Sequence, residues 1–349
     1  MNLYNNPIVQ EDLNNISARV DWKAFNGKNV LITGANGHIA TYIAYSFLYA
    51  ATNAMTSEMH LYVLSRNEAT LNKLYGLFND NPCFHVIVGD VADFHKIETQ
   101  FDYIFHFAGN ASPYFIKNDP VGILKANING TFNIAELSLK AENGKVIYAS
   151  TREVYGANTT DDVLHETAFG VVDPLEARSC YPESKRAAES ILAAYHNQHG
   201  LSYAIARIAH CYGPGMKLAN DGRVMSDFIN FAVNHQDIVL NSDGKALRSF
   251  CYITDAVVAL IKMAADKATA SVYNLANETD EMSIKDLAEY ITSLAGDIKV
   301  QMNHVPTDSS MYCAYKRKPL DCSKLAELDW KPEVDIKTGV ERTFKSFVG

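Results

Sequence analysis

The chain has 349 residues, of which 48% are hydrophobic and 20% charged, and its formal net charge is −9 at pH 7. This composition is typical of a globular protein with a large core, and an acidic chain without a long basic run disfavours nucleic-acid and anionic-membrane surfaces. The first residues lack the basic and apolar regions of a signal peptide, and the apolar run 39–51 is too short to span a bilayer, so we expect a cytoplasmic protein without membrane contact.

The order of elements along the chain indicates the fold class. Polar residues dominate 1–27, and Pro7 and Gly27 interrupt this segment, which predicts one short helix at about 9–20 packed outside the core. An apolar strand follows at 29–33, then a glycine-containing turn and an apolar helix to about residue 53. The alternation continues, with strands predicted at 60–65, 85–88, 101–107, 145–150 and 202–208 and helices near 68–79, 121–142 and 181–199. This pattern predicts an α/β fold, a Rossmann doubly wound parallel sheet.

Beyond about residue 210 the pattern changes to shorter elements joined by glycine-containing loops. This change predicts a smaller C-terminal α/β lobe that closes over the carboxyl ends of the strands, where ligands bind in such sheets. We therefore predict an N-terminal extension at 1–27, a dinucleotide-binding domain at 28–210 with parts of 240–280, and the smaller lobe mainly within 211–349.

The turn after the first strand has the spacing Gly34-x2-Gly37-x2-Ala40 and opens a helix. The first glycine permits a tight bend, the second lets the backbone approach a pyrophosphate, and a small third residue allows close packing of helix and sheet. Free N–H groups of the helix N-terminus add to phosphate binding. For Asp90, after the third strand, the alternative to a place beside the adenine is a plain turn cap. The predicted dinucleotide contacts here and along the sheet edge are Gly34, Asn36, Gly37, His38, Ile39, Asp90, Val91 and Ala108.

The end of the second predicted strand bears on the choice of dinucleotide. An NAD site usually offers a carboxylate to the ribose hydroxyls at this point. Here the sequence is Leu64-Ser-Arg-Asn67, which has no carboxylate, and Arg66 suits the 2′-phosphate of NADP. The cofactor is therefore predicted to be NAD or NADP, with NADP favoured, unless Arg66 is a solvated loop residue.

Tyr181 and Lys185 are four residues apart in a predicted helix, so both side chains lie on one face. An ammonium close to a phenol favours the phenolate, which lowers the tyrosine pKa toward working pH and makes a base for an alcohol proton. The spacing alone is common, and an exposed tyrosine over a lysine stem is the alternative. The upstream glycine turn and the intervening pair Ser150-Thr151 favour the catalytic interpretation.

Several further stretches occur in the order found in one enzyme family. They include Thr-Arg-Glu-Val-Tyr-Gly at 151–156 and Arg-Ser-Cys-Tyr-Pro-Glu-Ser-Lys at 178–185, with others at 106–113, 127–131, 220–224, 247–250 and 316–319. Over about residues 28–347 the chain resembles the extended short-chain dehydrogenase/reductases of the NAD-dependent epimerase/dehydratase family that act on nucleotide sugars. The similarity is greatest to UDP-glucuronate decarboxylases and dTDP-glucose 4,6-dehydratases.

The resemblance implies a role for each matching position. Thr151 would hydrogen-bond the sugar C4 hydroxyl, Tyr181 would be the base, and Lys185 would lower the pKa of Tyr181 and bind the nicotinamide ribose. A glutamate at the position of Glu153 assists chemistry at C5, and the alternative is a structural glutamate that caps the following turn. The family usually forms dimers through helices 121–142 and 181–199, which implies a homodimer. The implied substrate-binding positions are Asn110, Ser112, Arg152, His210, Arg223, Arg248 and Arg317.

The chain departs from the family pattern at several positions. Arg152 stands where the decarboxylases have serine and the dehydratases have aspartate, the donor for a departing C6 hydroxyl, so a standard 4,6-dehydratase is disfavoured. Arg152 either holds a carboxylate or points to solvent. Gly109 and Asn110 replace a Ser-Pro pair in the sugar pocket, and His210 and Asn241 replace an asparagine and a tyrosine.

Three functions remain open from the sequence. The first is hydride transfer at C4 of a nucleotide sugar, of the UDP-glucuronate decarboxylase or epimerase/dehydratase type, since a C4 ketone turns a C6 carboxylate into a β-keto acid that loses CO2 readily. The second is net NADPH-dependent reduction of a 4-keto-6-deoxy nucleotide sugar, which an NADP preference would suit. The third is a non-catalytic dinucleotide-binding protein. Six cysteines without a Cys-x2-Cys pair and dispersed histidines predict no metal site.

Overall fold

The computed structural model describes residues 2–93, 97–219, 221–303 and 318–349, in which strands and helices alternate. Within these ranges, no helix combines the length and the apolar character needed to cross a bilayer. The strands are β1 Asn29–Thr33, β2 His60–Ser65, β3 Phe84–Val88, β4 Tyr103–His106, β5 Lys145–Thr151, β6 Ser202–Ile208, β7 Cys211–Tyr212, β8 Ile238–Leu240, β9 Leu247–Ser249, β10 Cys251–Tyr252, β11 Ala270–Leu275, β12 Glu281–Ser283 and β13 Val300–Met302. The α-helices are α1 Pro7–Ala18, α2 His38–Thr52, α3 Glu68–Tyr75, α4 Pro113–Asn118, α5 Pro120–Ser138, α6 Cys180–His199, α7 Val224–Val233, α8 Ile253–Ala265, α9 Ile284–Ala295, α10 Ser323–Ala326 and α11 Ile336–Val348.

A seven-stranded parallel sheet organises the molecule, with the strand order β11-β6-β5-β4-β1-β2-β3. Val30, Leu31 and Ile32 of β1 are fully buried, as expected for a parallel strand covered by helices on both faces. The chain builds β2 and β3 on one side of β1 and then returns to place β4 on the other side. The sheet therefore confirms the predicted Rossmann fold and has its ligand-binding crevice at the carboxyl ends of β1 and β4.

Most element boundaries agree with the sequence prediction, but the helix predicted at 121–142 differs. The structure has a separate short helix, α4, before α5, and α5 ends at Ser138. Both helices have proline at the first position, and the Asp119 carboxylate caps α5 by accepting a hydrogen bond from the Gly122 N–H at 3.1 Å. A proline fits the first turn of a helix and interrupts one that is already formed, so the chain restarts its helix at Pro120.

Residues beyond 210 form small pieces of sheet as well as the last part of the large one. β7 pairs with β10, β8 with β13 and β9 with β12, while α7, α9 and α11 pack together. In contrast, β11 pairs with β6 in the large sheet, and α8 packs against β5 and α2. β11 and α8 therefore pack with the large sheet, and the predicted domain boundaries stay a prediction.

The N-terminal helix α1 belongs to the main core, and the prediction that it packs outside the core is wrong. Val9, Leu13 and Ile16 are fully buried and lie in the same apolar cluster as the sheet. Their spacing puts them on one helical stripe, and the partner surface comes from α2, α8 and α11. Asp12, on the same helix, accepts a hydrogen bond from Arg342 Nη2 at 2.7 Å, which ties α1 to the C-terminal helix.

We expect Leu13→Ala to lower the free energy of unfolding by about 2–5 kcal/mol, the usual range for truncating a buried leucine. The reason is that removal of the Leu13 methyl groups leaves a cavity among helices that are distant in sequence. Urea unfolding followed by circular dichroism measures the loss. Leu77→Ala is the matched control because Leu77 is 56% exposed, and a similar loss in both variants would contradict the placement of α1 in the core.

Candidate active site

The glycine turn between β1 and α2 has the geometry of a phosphate-binding loop. Gly34 has a φ of +66°, and a Cβ at this residue would lie 2.7 Å from the backbone of Phe107 and Ala108. Only glycine fits this close approach, because β4 ends directly against the turn. The Gly37 N–H donates to the Gly34 carbonyl at 2.8 Å and leads into α2, whose first N–H groups are available to an anion. Asn36 and Gly37 are exposed at the tip of the turn.

The other predicted cofactor residues follow the same edge of the sheet. His38 Nε2 donates to the Pro214 carbonyl at 3.0 Å, and burial lowers the pKa of His38 to about 4, so the ring is neutral. Ile39 is half-buried, and Val91 is buried against the Gly130 backbone of α5. The Ala108 N–H donates to Thr33 Oγ1 at 3.2 Å, which fixes the end of β4 beside the glycine turn.

Arg66 and Asp90 lie at the ends of β2 and β3 and form an ion pair. Arg66 Nη1 is 3.4 Å from Asp90 Oδ2, and the Arg66 side chain is 63% exposed. Asp90 Oδ1 accepts a hydrogen bond from the Ala92 N–H at 2.9 Å. Asp90 therefore does cap the turn, as the alternative interpretation held, and it also places a carboxylate beside Arg66.

Tyr181 and Lys185 are both buried on α6, and neighbouring groups on β5 direct the lysine. Lys185 Nζ donates to the Ala149 carbonyl at 2.7 Å and lies 4.7 Å from the centre of the Tyr148 ring. Burial lowers the pKa of Lys185 to about 7, and the charge of Glu189 opposes this shift. The alternative of an exposed tyrosine over a lysine stem does not fit a pair with this burial.

The pKa of Tyr181 is raised, whereas the sequence predicted that Lys185 would lower it. Burial is the main cause, and the negative charge of Glu153 raises the pKa further. A hydrogen bond from Thr151 and the charges of Arg223 and Arg178 act in the opposite direction. The prediction failed because the lysine ammonium is directed to a backbone carbonyl and because burial, which spacing does not reveal, disfavours the phenolate.

Glu153 forms a two-point ion pair with Arg178 next to Tyr181. Arg178 Nη2 donates to Glu153 Oε1 at 2.8 Å and Arg178 Nη1 donates to Glu153 Oε2 at 2.9 Å. Both side chains are mostly buried, at 15% exposed for Arg178 and 22% for Glu153. Burial raises the pKa of Glu153, while Arg178 and Arg152 lower it. Thr151 Oγ1 accepts a hydrogen bond from the Glu153 N–H at 3.2 Å and so orients the start of this turn.

Arg178 is not among the site residues predicted from the sequence, although its position next to the predicted base could have indicated it. This arginine lies three residues before Tyr181, inside one of the stretches that match the family. Arg152 Nη2 donates to the Lys318 carbonyl at 2.9 Å, and the charge of Arg152 lowers the pKa of Glu153, while its two alternative roles stay predictions. Two guanidinium groups thus lie near one carboxylate beside the candidate base.

The predicted substrate residues are spread over several loops around this centre. Arg223 is held by Asp221, with Nε and Nη2 at 2.5 and 3.0 Å from its carboxylate oxygens. Its charge lowers the pKa of both His38 and Tyr181, so it acts on the glycine-turn side and on the candidate base. Asn110 and Ser112 lie between β4 and α4, and the Ser112 hydroxyl is buried without a hydrogen-bond partner in the described ranges.

His210, Arg248 and Arg317 complete the predicted substrate set. His210 is exposed between β6 and β7, with its ring 5.8 Å from that of Phe250. Arg248 lies on β9 and its Nη1 donates to the Leu247 carbonyl at 2.8 Å. Arg317 lies outside the described residues. The roles of all three stay predictions, as does the absence of a metal.

Comparison with known proteins gives consistent results. Residues 30–276 match the model of the NAD dependent epimerase/dehydratase family. The chain is 35% identical over 317 residues to UDP-glucuronic acid decarboxylase 3 of Arabidopsis thaliana, covering 89% of this chain and 86% of that protein. It is 32% identical over 327 residues to UDP-glucuronic acid decarboxylase 1 of Xenopus tropicalis, covering 92% of this chain and 72% of that one.

Solved structures share the fold at lower sequence identity. UDP-N-acetylglucosamine 4-epimerase of Methanobrevibacter ruminantium superposes with a TM-score of 0.78 at 24% identity, covering 93% of this chain and 99% of that chain. The dTDP-glucose 4,6-dehydratase of Bacillus anthracis, solved in complex with NAD, gives a TM-score of 0.72 at 22% identity, covering 92% and 96%. These two similarities show a shared fold over 93% and 92% of this chain.

Proposed function

The chain belongs to the NAD-dependent epimerase/dehydratase family, and we propose that it decarboxylates UDP-glucuronate after oxidising the sugar at C4. The observation that carries this proposal is the Glu153–Arg178 ion pair beside Tyr181 and Thr151. A carboxylate at this position serves chemistry at C5, which simple epimerisation at C4 does not need. The names of the relatives at 31–35% identity point to the same reaction.

In the proposed reaction Thr151 orients the substrate, and Tyr181 and Glu153 transfer protons. Thr151 hydrogen-bonds the C4 hydroxyl, and Tyr181, once its phenol has lost its own proton, takes the C4 hydroxyl proton as C4 becomes a ketone. The C6 carboxylate is then β to a ketone, and the C5–C6 bond breaks to release CO2 and leave an enolate. Glu153 assists delivery of a new proton to C5, which takes the place of the departed carboxylate, and Tyr181 returns the first proton to the oxygen at C4. A dinucleotide held by the Gly34 turn and Lys185 would supply hydride acceptance and return at C4, so the reaction would have no net redox change.

The residues present fit a dinucleotide. The Gly34 turn excludes a Cβ, and α2 directs its free N–H groups to the exposed edge of that turn. Buried Lys185 lies one helical turn from Tyr181, within reach of a ribose near the reacting carbon. The charge of Arg223 acts on both His38 and Tyr181, which supports a role for this guanidinium at the diphosphate groups.

Positive charge near Glu153 supports an acidic sugar. Arg178 and Arg152 both lower the pKa of Glu153, which shows that two guanidinium groups act on this carboxylate. A second carboxylate, that of the uronate, can enter such a site with less repulsion than beside Glu153 alone. A neutral hexose gains nothing from this arrangement.

Incubation of the purified protein with UDP-glucuronate tests the proposal. Without added cofactor, the expected products are CO2 and a UDP-pentose, identified by mass spectrometry. Glu153→Gln serves as the site variant and is expected to reduce product formation strongly. Absence of product, together with NADPH oxidation on a 4-keto-6-deoxy nucleotide sugar, would overturn the proposal in favour of the reductase.

Arg66 favours that reductase as the second candidate, because its guanidinium suits a 2′-phosphate. The Asp90 carboxylate at 3.4 Å opposes this by repelling a phosphate and by occupying the guanidinium. We therefore expect NAD to bind more tightly than NADP, and Asp90→Asn to raise NADP affinity by about 5–10-fold.

Isothermal titration calorimetry with both dinucleotides measures this discrimination. Asp93→Asn is the matched control, since Asp93 is exposed three residues after Asp90 in the same turn. The double variant Arg66→Ala/Asp90→Asn should not show the gain in NADP affinity that is expected for Asp90→Asn alone. Tighter binding of NADP by the unaltered protein would instead support the reductase.

A homodimer stays part of the proposal. Helices α5 and α6 pack side by side, and α5 exposes apolar side chains on the surface of this pair. Such side chains favour burial against a second copy of the same helices. They are Val121, Phe132 and, directly after the helix, Leu139.

A further inference from the structure

A second ion pair lies one helical turn beyond Lys185, on the side of α6 that packs against β5 and β6. Glu189 is held by Arg207 of β6, with Nη2 2.7 Å from Oε2 and Nε 3.1 Å from Oε1. The Ser150 hydroxyl donates to Glu189 Oε1 at 2.5 Å. Arg207 and Glu189 are both only 13% exposed. This pair takes no part in the proton transfers described above.

Three consecutive residues of β5 connect this pair to the candidate base. The Ala149 carbonyl accepts a hydrogen bond from Lys185 Nζ at 2.7 Å, and the Ser150 hydroxyl donates one to Glu189. A hydrogen bond with the Thr151 side chain lowers the pKa of Tyr181. The end of one strand thus sets the position of both α6 side chains. Glu189 and Lys185 are four residues apart on α6, so both lie on the helix face that meets this strand.

We propose that Glu189, held by Arg207 and Ser150, is a positioning residue that keeps Lys185 protonated and directed toward the site. It acts through Lys185 and does not touch the reacting atoms. The inference rests on the proposed hydride transfer at the Tyr181–Lys185 pair, but not on which sugar is the substrate.

The groups that face Lys185 explain why one carboxylate matters here. Burial lowers the pKa of His106 on β4 to about 3 and raises the pKa of Tyr148 on β5, so both are neutral at pH 7. Tyr181 on α6 is also kept neutral by burial. In contrast to these three neutral groups, Glu189 contributes a negative charge, which raises the pKa of Lys185.

The balance at Lys185 makes the effect measurable. Burial brings the pKa of Lys185 to about 7, so the ammonium and amine are nearly equal at neutral pH. A further fall of about one unit leaves only roughly a tenth of the lysine protonated at pH 7. Arg207 pairs with the Glu189 carboxylate at 2.7 Å, so this carboxylate is not buried without a partner.

NMR titration of the protein labelled with [ε-13C]lysine tests the inference, and Lys185→Met assigns the resonance. We expect a Lys185 midpoint near pH 7 that falls by about one unit or more in Glu189→Gln. The double variant Glu189→Gln/Arg207→Gln should show the same direction of shift, and it leaves no unpaired buried guanidinium if the single variant fails to fold.

Glu183→Gln is the matched control, since Glu183 lies on the same helix and pairs with Arg186 at the surface. An unchanged midpoint in the folded Glu189 variants, or an equal shift in Glu183→Gln, would overturn the inference. The titration uses no sugar, so its result does not depend on whether the protein decarboxylates UDP-glucuronate. A purely structural role for Glu189 would lower stability without moving the midpoint.

Discussion

Replacement of Tyr181 by phenylalanine is expected to lower kcat by about 10²–10⁴-fold, the usual contribution of a general base, with little change in KM. The substitution removes the hydroxyl that accepts the C4 proton. It keeps the ring packed against Ile116 and Ile123, so the fold of the site should remain. Steady-state kinetics of product formation from UDP-glucuronate measure the loss.

Tyr45→Phe is the matched control for this change. Tyr45 is buried on α2, and its hydroxyl donates to the Leu74 carbonyl, remote from β5 and α6. We expect it to keep most of the activity. Turnover of an identified substrate by Tyr181→Phe at the original rate would show that the tyrosine is not the base.

Replacement of Arg178 by methionine is expected to lower kcat by about 10²-fold, because Glu153 loses both hydrogen bonds that orient it. The acid limb of the pH profile should move to higher pH. The reason is that the charge of Arg178 lowers the pKa of Tyr181, and a base with a higher pKa needs a higher pH to lose its proton. The pH dependence of kcat/KM measures this shift.

Arg178→Lys separates charge from geometry in the same experiment. A lysine keeps the positive charge but cannot form the two-point contact with Glu153. It should therefore lose part of kcat while leaving the acid limb near its original pH. A profile for Arg178→Met that does not move would contradict the electrostatic role of this residue.

The sequence predicted the elements that local pattern controls. β1, β2 and β6 occur at the predicted residues, because each is a short apolar run bounded by turns. The glycine turn was predicted correctly for a similar reason, since the requirement for Gly34 is visible in its spacing. These features need few contacts from distant parts of the chain.

Long-range packing explains the predictions that failed. The apolar stripe of α1 is visible in the sequence, but the surfaces that cover it come from α8 and α11, more than 200 residues away. Arg178 and Glu153, which form an ion pair, are 25 positions apart in the sequence. The raised pKa of Tyr181 depends on burial and on Glu153, which spacing along one helix does not reveal.

The most direct test of the proposed decarboxylation is the reaction of UDP-glucuronate in D2O, followed by 1H NMR. Loss of CO2 leaves an enolate that takes its proton from an exchangeable group, so the UDP-pentose should carry one deuterium at C5 and none at C4. The hydrogen at C4 should remain because the same hydride returns to it. Recovery of UDP-glucuronate unchanged, or of an epimer that keeps C6, would contradict the proposed function.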